Sequence, residues 1–313
     1  MKHIPVLLHE VISLLDPKPG KKYIDATIGM AGHAQEIVNR GGIVLGIDAD
    51  PSVIAQLQAR DEFQVVQGNF SDLKQIAGET RFMGIDGILF DLGLGTHQLD
   101  DPARGFSFQK PGPLDMRYDQ KSEILPDGQG SRRSETAADV VNFYSEKDLV
   151  RIFYQYGEEK RFGKRIARAV IDCRKLGSIK TTTELFELIK KTLPANFSFR
   201  AGDIARRIFQ SLRIAVNDEL LNLEKGLQQA LDLLLPKGKL AVISFHSLED
   251  RIVKNFFIKE AKDCLCPPSF PVCRCEAEAR LRILTKKPIT AAEPEIKINS
   301  RAKSAKLRVA EKL

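Results

Sequence analysis

One alternation constrains the fold more than any other feature of the chain. Four short β-branched runs, at residues 23–28, 43–48, 63–67 and 87–91, are separated by helical patterns near 32–40, 51–59 and 71–77. Parallel strands need crossover connections of about a dozen residues, usually helical, so this pitch predicts an α/β fold built on a mainly parallel, doubly wound sheet. An apolar stripe of Val6, Leu7, Val11, Leu14 and Leu15 precedes it and predicts a helix ending before Pro17.

The alternation then stops. Residues 94–130 are rich in Gly, Pro and Asp, 146–193 reads as helices, and a long helical stretch runs from about 203 to 235. Strand character returns at 239–245, and weakly near 283–284 and 307–309. A helical block is therefore inserted into the sheet domain. The expected organisation is sheet domain over 1–104, an inserted helical substrate-recognition domain over 105–210, and the rest of the sheet domain over 211–313. The polar stretch 121–134 reads as a mobile surface loop.

No apolar run approaches the roughly 20 residues of a membrane span, and the N-terminus lacks a secretory pattern, so no membrane contact and a cytoplasmic location are expected. The net charge of +7 is unevenly spread: residues 145–213 hold 16 Lys and Arg against 8 Asp and Glu. Within them Arg161, Lys164, Arg165 and Arg168 fall at helical spacing, a basic stripe suited to phosphates, although a solvated helix face has the same pattern. Four of the five cysteines, Cys264, Cys266, Cys273 and Cys275, are spaced C-x-C-x6-C-x-C. They could ligate zinc as four thiolates, but C-x-C pairs are less typical of structural zinc than C-x2-C pairs. A compact thiol-bearing loop without metal is the expectation.

The first run leads into Asp25-Ala26-Thr27-Ile28-Gly29-Met30-Ala31-Gly32-His33, so glycines flank a tight strand-to-helix turn at the carboxyl edge of the sheet, where such sheets bind ligands. Asp48 ends the second run, where a carboxylate can accept both hydroxyls of a ribose. Only Gly29-x-x-Gly32 is present in place of the G-x-G-x-x-G that cradles a pyrophosphate. S-adenosylmethionine, which has no phosphate, tolerates that loss; a turn without a ligand is the other reading. Asp91 ends the fourth run, placed either to meet the amino group of a methionine moiety or to cap a turn. His246, just past the 239–245 strand, could contact a base or take up a proton, or be a satisfied structural histidine. Asp115 and Arg117 could line a base pocket or form an internal ion pair.

Joined by further motifs along the chain, these residues resemble the bacterial RsmH (MraW) family of 16S rRNA cytosine-N4 methyltransferases over nearly its whole length. The resemblance is carried by His3-Ile4-Pro5-Val6-Leu7-Leu8-His9-Glu10, the Asp25 to His33 turn, Ile47-Asp48, Asp91-Leu92-Gly93 and Gln98-Leu99-Asp100-Asp101. It continues through Arg104-Gly105-Phe106-Ser107-Phe108, Gly112-Pro113-Leu114-Asp115-Met116-Arg117, Tyr156-Gly157-Glu158-Glu159, Phe209-Gln210 and Ser244-Phe245-His246-Ser247-Leu248-Glu249-Asp250-Arg251.

It implies a class I S-adenosylmethionine-dependent methyltransferase, Rossmann-like, with an inserted all-helical domain. It further implies S-adenosylmethionine as cofactor and 16S rRNA, within the small ribosomal subunit, as partner, with a monomer or a homodimer both compatible. The family's cofactor contacts carry over to Ala31, Gly32, His33, Asp48, Phe70, Asp91 and Gln98; from the residues alone Phe70 reads as ordinary core. Asp91 and His246 are the candidate catalytic residues, and Asp115, Arg117, Arg161, Lys164, Arg165, Arg168 and Arg207 the candidate RNA contacts.

Three departures stand out. The family usually has G-x-G-G-H where this chain has Ala31 as the middle residue, and a methyl there could narrow the cofactor's path. After Asp91 the family's two serines are replaced within Leu94-Gly95-Thr96-His97-Gln98, and the usual H-P-A-T-R-T-F-Q is replaced by Asp203-Ile204-Ala205-Arg206-Arg207-Ile208-Phe209-Gln210. They motivate two other readings, a methyltransferase of the same fold acting on another RNA or a small molecule, and an RNA-binding assembly factor that has lost catalysis.

Overall fold

A computed structural model describes residues 4–120, 135–264, 266, 275 and 278–313, apart from the side chains of Thr96 and His97. The stretch 121–134, expected to be a surface loop, and Cys273 lie outside the described residues. The chain divides into two compact units, Met1–Gly93 with Leu220–Leu313, and Leu94–Glu219.

These divisions fall later in the chain at the second boundary, and earlier at the first, than the sequence pattern suggested. The helical stretch 203–235 is two helices, Ala201–Asn217 and Glu219–Leu233, separated at Asp218, whose φ of 49° is left-handed. The first of them buries Ile204, Ala205, Ile208, Phe209 and Leu212 in the core of the second unit, so the whole helix belongs there.

Among the described residues of the first unit seven strands form one sheet: β1 (Lys22–Asp25), β2 (Ile43–Asp48), β3 (Gln64–Gln67), β4 (Ile85–Asp91), β5 (Leu234–Ser244), β6 (Leu281–Ile283) and β7 (Lys306–Lys312). Their order is β3-β2-β1-β4-β5-β7-β6. The five strands β1 to β5 run parallel, and β7 is antiparallel to both β5 and β6. The strand signal at 307–309 was weak because charge interrupts it: Arg308 is buried in β7 and held by Asp250 at 2.7 Å.

Successive side chains of a strand point to opposite faces, and both faces of this sheet are covered, so its strands read as continuous apolar runs. Ile24, Leu45, Ile88, Phe90, Leu240 and Val242 face one layer, where the helices Leu73–Glu79, Glu219–Leu233 and Ser247–Glu260 contribute Leu73, Leu227 and Phe257. Tyr23, Val44, Leu89, Ala241 and Ile243 face the other, against Val11, Ile12 and Leu15 of the helix Leu8–Leu15 and Ile37 of the helix Gly32–Asn39. Each such aliphatic side chain contributes about 1.5–3 kcal/mol on burial.

The second unit is helical. Ala137–Phe143, Glu146–Gln155, Gly163–Arg174, Thr182–Thr192 and Ala201–Asn217 enclose a core that includes Leu149, Phe153, Ile166, Leu185 and Ile208. Thr136 with Asp139, and Thr181 with Glu184, form capping boxes that satisfy the first backbone amides of their helices.

Gly226, on the helix Glu219–Leu233, has no room for a side chain: a Cβ there would stand 2.9 Å from Phe70 Cδ2 and 3.2 Å from both the Phe70 carbonyl oxygen and Phe90 Cε1. Gly226→Ala is expected to destabilise the first unit by about 1–3 kcal/mol despite alanine's higher helix propensity, a loss read from thermal or denaturant unfolding.

A carboxylate-lined site at the carboxyl edge of the sheet

Strands β1, β2 and β4 each end in an aspartate, Asp25, Asp48 and Asp91. The strand order reverses between β1 and β4, and open α/β sheets bind ligands outside the carboxyl ends of their strands at such a reversal.

The turn after β1 is held from several sides. Gly29 has a φ of 49° and donates its N–H to Asp48 Oδ2 at 3.0 Å, while Asp48 Oδ1 accepts the Asp50 N–H at 2.8 Å. Gly32 is required by the N-terminal segment, since a Cβ there would stand 2.3 Å from Pro5 Cγ. The same segment fixes His33. Its Nε2 lies 3.0 Å from the Val6 carbonyl, which can only accept, so Nε2 carries the proton and Nδ1 is turned to Asp91 Oδ2 at 3.7 Å.

Ala31 has a φ of 61°, a left-handed conformation that costs a residue with a Cβ about 1–2 kcal/mol and that a glycine adopts without strain. Its methyl is wholly buried in the apolar cluster with Val6, Ile28 and Ala34. The methyl group thus packs into the core rather than standing open to solvent.

Asp91 is the electrostatic centre of this edge. Its backbone N–H donates to Thr27 Oγ1 at 2.6 Å, and its side-chain Oδ1 is buried without a hydrogen-bond partner among the described residues. Burial, followed by the charges of Asp25 and Glu249, pushes its carboxyl well above the ordinary carboxylate range. Asp25, 1% exposed, is pushed up to about 7, chiefly by burial and against the hydrogen bond from the Thr27 amide, with Asp48 adding to the rise. Neither Asp25 nor Thr27 was singled out from the sequence; their signal was position, at and just past the end of a strand adjoining β4.

His246 is the N-cap of the helix Ser247–Glu260, its Nδ1 accepting the Glu249 N–H at 3.4 Å. Glu249 accepts in return from the amides of Phe245 at 2.8 Å and His246 at 3.2 Å. His246 Nε2 stands 3.1 Å from Glu249 Oε1 but outside hydrogen-bond geometry. Phe70 packs edge-on against Phe90, with ring centroids 5.4 Å apart, and lies partly buried beside the core.

The remaining candidates lie in the second unit. Gln98 is buried and accepts the Gly95 N–H at 3.1 Å. Asp115 and Arg117 are a bidentate ion pair, with both side-chain bonds at 2.8 Å. Burial works to raise the Asp115 carboxyl, and the hydrogen bonds from Arg117 outweigh it, leaving it below its ordinary range. Arg207 Nη2 is 2.9 Å from Oε2 of the buried Glu159, whose other oxygen accepts the amides of Arg161 and Phe162. Lys164, Arg165 and Arg168 are exposed on the helix Gly163–Arg174 and form no ion pair among the described residues. Arg161 is not part of that helical stripe: it precedes the helix and lies over the Phe197 ring, 4.1 Å from its centroid.

A doubly wound sheet of this order, with an antiparallel strand inserted beside β5 and carboxylates at its switch point, defines the class I methyltransferase fold. A model of the MraW methylase family matches residues 1–313. The chain is 47% identical over 320 residues to "Ribosomal RNA small subunit methyltransferase H" of Heliobacterium mobile, covering 99% of each protein. It is 46% identical over 317 residues to the protein of the same name from Carboxydothermus hydrogenoformans, covering 99% of this chain and 98% of that one. The chain belongs to the MraW methylase family.

The raised Asp25 carboxyl has a consequence for stability. With a folded pKa of about 7 against an ordinary 3.8, the folded state holds a proton that the unfolded state has lost, so stability falls as pH rises between those values. In cofactor-free protein, Asp25→Asn is expected to lose less thermal stability than wild type between about pH 5 and about pH 8; equal losses would contradict the assignment.

Proposed function

We propose that this chain methylates the exocyclic N4 amine of a cytosine in small-subunit ribosomal RNA, with S-adenosylmethionine as methyl donor. The observation that carries the reading is the buried, unpartnered Oδ1 of Asp91, flanked by Asp25 and Glu249. Such an edge repels a pyrophosphate and attracts a cation, and S-adenosylmethionine carries two cationic groups, a sulfonium and an ammonium. The residues present therefore fit that cofactor better than a dinucleotide. Asp91 would hold the ammonium and Asp48 the ribose hydroxyls, with Phe70 and the turn of Ala31, Gly32 and His33 as the further residues that would contact the cofactor.

When bound, S-adenosylmethionine supplies a methyl group already activated by its sulfonium, so direct displacement by the amine nitrogen needs no covalent enzyme intermediate. The protein's part is then alignment. The backbone carbonyls of Leu92 and Gly93 and the Asp91 carboxylate are acceptors that can hold the amine's hydrogens and disperse charge developing on nitrogen. The proton released from nitrogen passes to solvent, since His246 Nδ1 accepts the Glu249 N–H and Nε2 therefore carries the neutral ring's proton.

The helical unit supplies affinity for the RNA. Lys164, Arg165 and Arg168 offer three exposed cations for phosphates, and the Arg161 guanidinium lies over an aromatic ring beside them in sequence. Phosphate contacts give register and affinity, while the identity of the base is left to the pocket that receives it. No helix among the described residues is long and apolar enough to cross a membrane, and a ribosomal RNA substrate supports the reading of a cytoplasmic location.

Asp91→Ala is expected to retain the fold, because it removes a carboxylate that is costly to bury, and to abolish both cofactor binding by calorimetry and methyl transfer to small-subunit RNA. Wild-type transfer by the folded variant would contradict the role given to Asp91. Lys164→Glu with Arg168→Glu is expected to weaken RNA binding by about tenfold or more at moderate salt and to flatten its salt dependence, with cofactor affinity unchanged.

A further inference from the structure

Cys264, Cys266 and Cys275 belong to the segment that links the helix Ser247–Glu260 to β6. The root of this segment is closed by two hydrogen bonds, from the Ala279 amide to Asp263 Oδ1 at 3.1 Å and from the Arg280 amide to the Glu260 carbonyl at 2.8 Å. Arg280 adds ion pairs to Glu260 and Asp232. Two of the cysteines lie on the outgoing arm and one on the returning arm. Their sulfurs all lie within 4.8 Å of one another, with Cys275 Sγ 3.9 Å from Cys264 Sγ, and no disulfide joins them.

Sulfurs bonded at about 2.3 Å to one tetrahedral zinc ion stand about 3.8 Å apart. The observed triangle is close to that arrangement and needs only small side-chain adjustments to reach it. The donor set is sulfur alone, which suits a thiophilic ion and not magnesium or calcium. Cys264 and Cys275 are exposed and Cys266 is half-buried, so an ion can enter from solvent.

We propose that Cys264, Cys266 and Cys275 bind one zinc ion, which pins the outgoing and returning arms of this segment. This revises the metal-free loop expected from the spacing of the cysteines: spacing does not reveal whether the two arms converge, and the closed root brings Cys264, Cys266 and Cys275 together. Binding converts the three thiols to thiolates and releases their protons, so affinity rises with pH. The fourth coordination position is taken by water or by a further donor. The site is independent of the methyl-transfer reading.

The test uses the full chain, purified reduced, equilibrated with zinc at micromolar concentration and dialysed, with metal counted by mass spectrometry and cobalt(II) as a spectroscopic probe. One zinc per chain is expected, and the cobalt form should show sulfur-to-cobalt charge transfer with the intense visible bands of a tetrahedral thiolate site. Cys264→Ser and Cys275→Ser should each cut the zinc content well below one per chain, while Cys173→Ser leaves it unchanged, circular dichroism confirming that each variant is folded. The wild-type cobalt spectrum stands even where a variant fails to fold. A zinc-free dialysed protein, a pale octahedral cobalt spectrum, or zinc content indifferent to the serine substitutions would overturn the proposal.

Discussion

A buried carboxylate oxygen without a hydrogen-bond partner is tolerated only where something answers its charge, and the first unit of this protein is arranged around one, Oδ1 of the partly buried Asp91. The strand that carries it runs between β1 and β5 at the centre of the sheet, its amide is tied to Thr27, and His33 is turned toward it by a bond to the N-terminal segment. Asp25 and Glu249 lie close enough to oppose ionisation of Asp91 by their own charges. On the proposed reading a positively charged ligand would offset that cost on binding, and this would be a source of affinity.

Several residues that look catalytic by type are occupied in holding this edge in place. His246 and Glu249 cap the helix after β5, and Asp250 clamps Arg308 of β7, so the Ser244 to Arg251 motif joins the last parallel strand, a helix and the antiparallel strand. The Tyr156 to Glu159 motif has an equivalent task in the helical unit, where the buried Glu159 closes a turn and pairs with Arg207. Gly32 serves the docking of Pro5, which explains why the first motif of the chain and the turn after β1 occur together.

The sheet and the carboxylate edge were legible in the sequence because both follow from period and position. Continuous apolar runs ending in Asp48 and Asp91 mark buried parallel strands and their carboxyl ends. What was not legible depended on contacts between residues distant in sequence. Asp25 reads as one more turn residue until its burial is known, and Asp115 with Arg117 could be a pocket or a pair until their geometry is known. Arg161 fits a helical stripe by spacing, yet the helix starts at Gly163 and the guanidinium lies on Phe197 instead. That the Ala31 methyl, which by sequence could narrow a cofactor's path, is buried among Val6, Ile28 and Ala34 was not legible, because sequence cannot say on which side of a turn a methyl group lies.

The central claim is that this anionic edge serves methyl transfer to a cytosine amine in small-subunit RNA. The most direct test is transfer of labelled methyl from S-adenosylmethionine to small ribosomal subunits lacking the modification, with the product nucleoside identified by mass spectrometry. The account predicts N4-methylcytidine at a single position. A label on carbon 5 of the base, on a ribose hydroxyl or on no nucleoside at all, from protein that binds the cofactor normally, would contradict it.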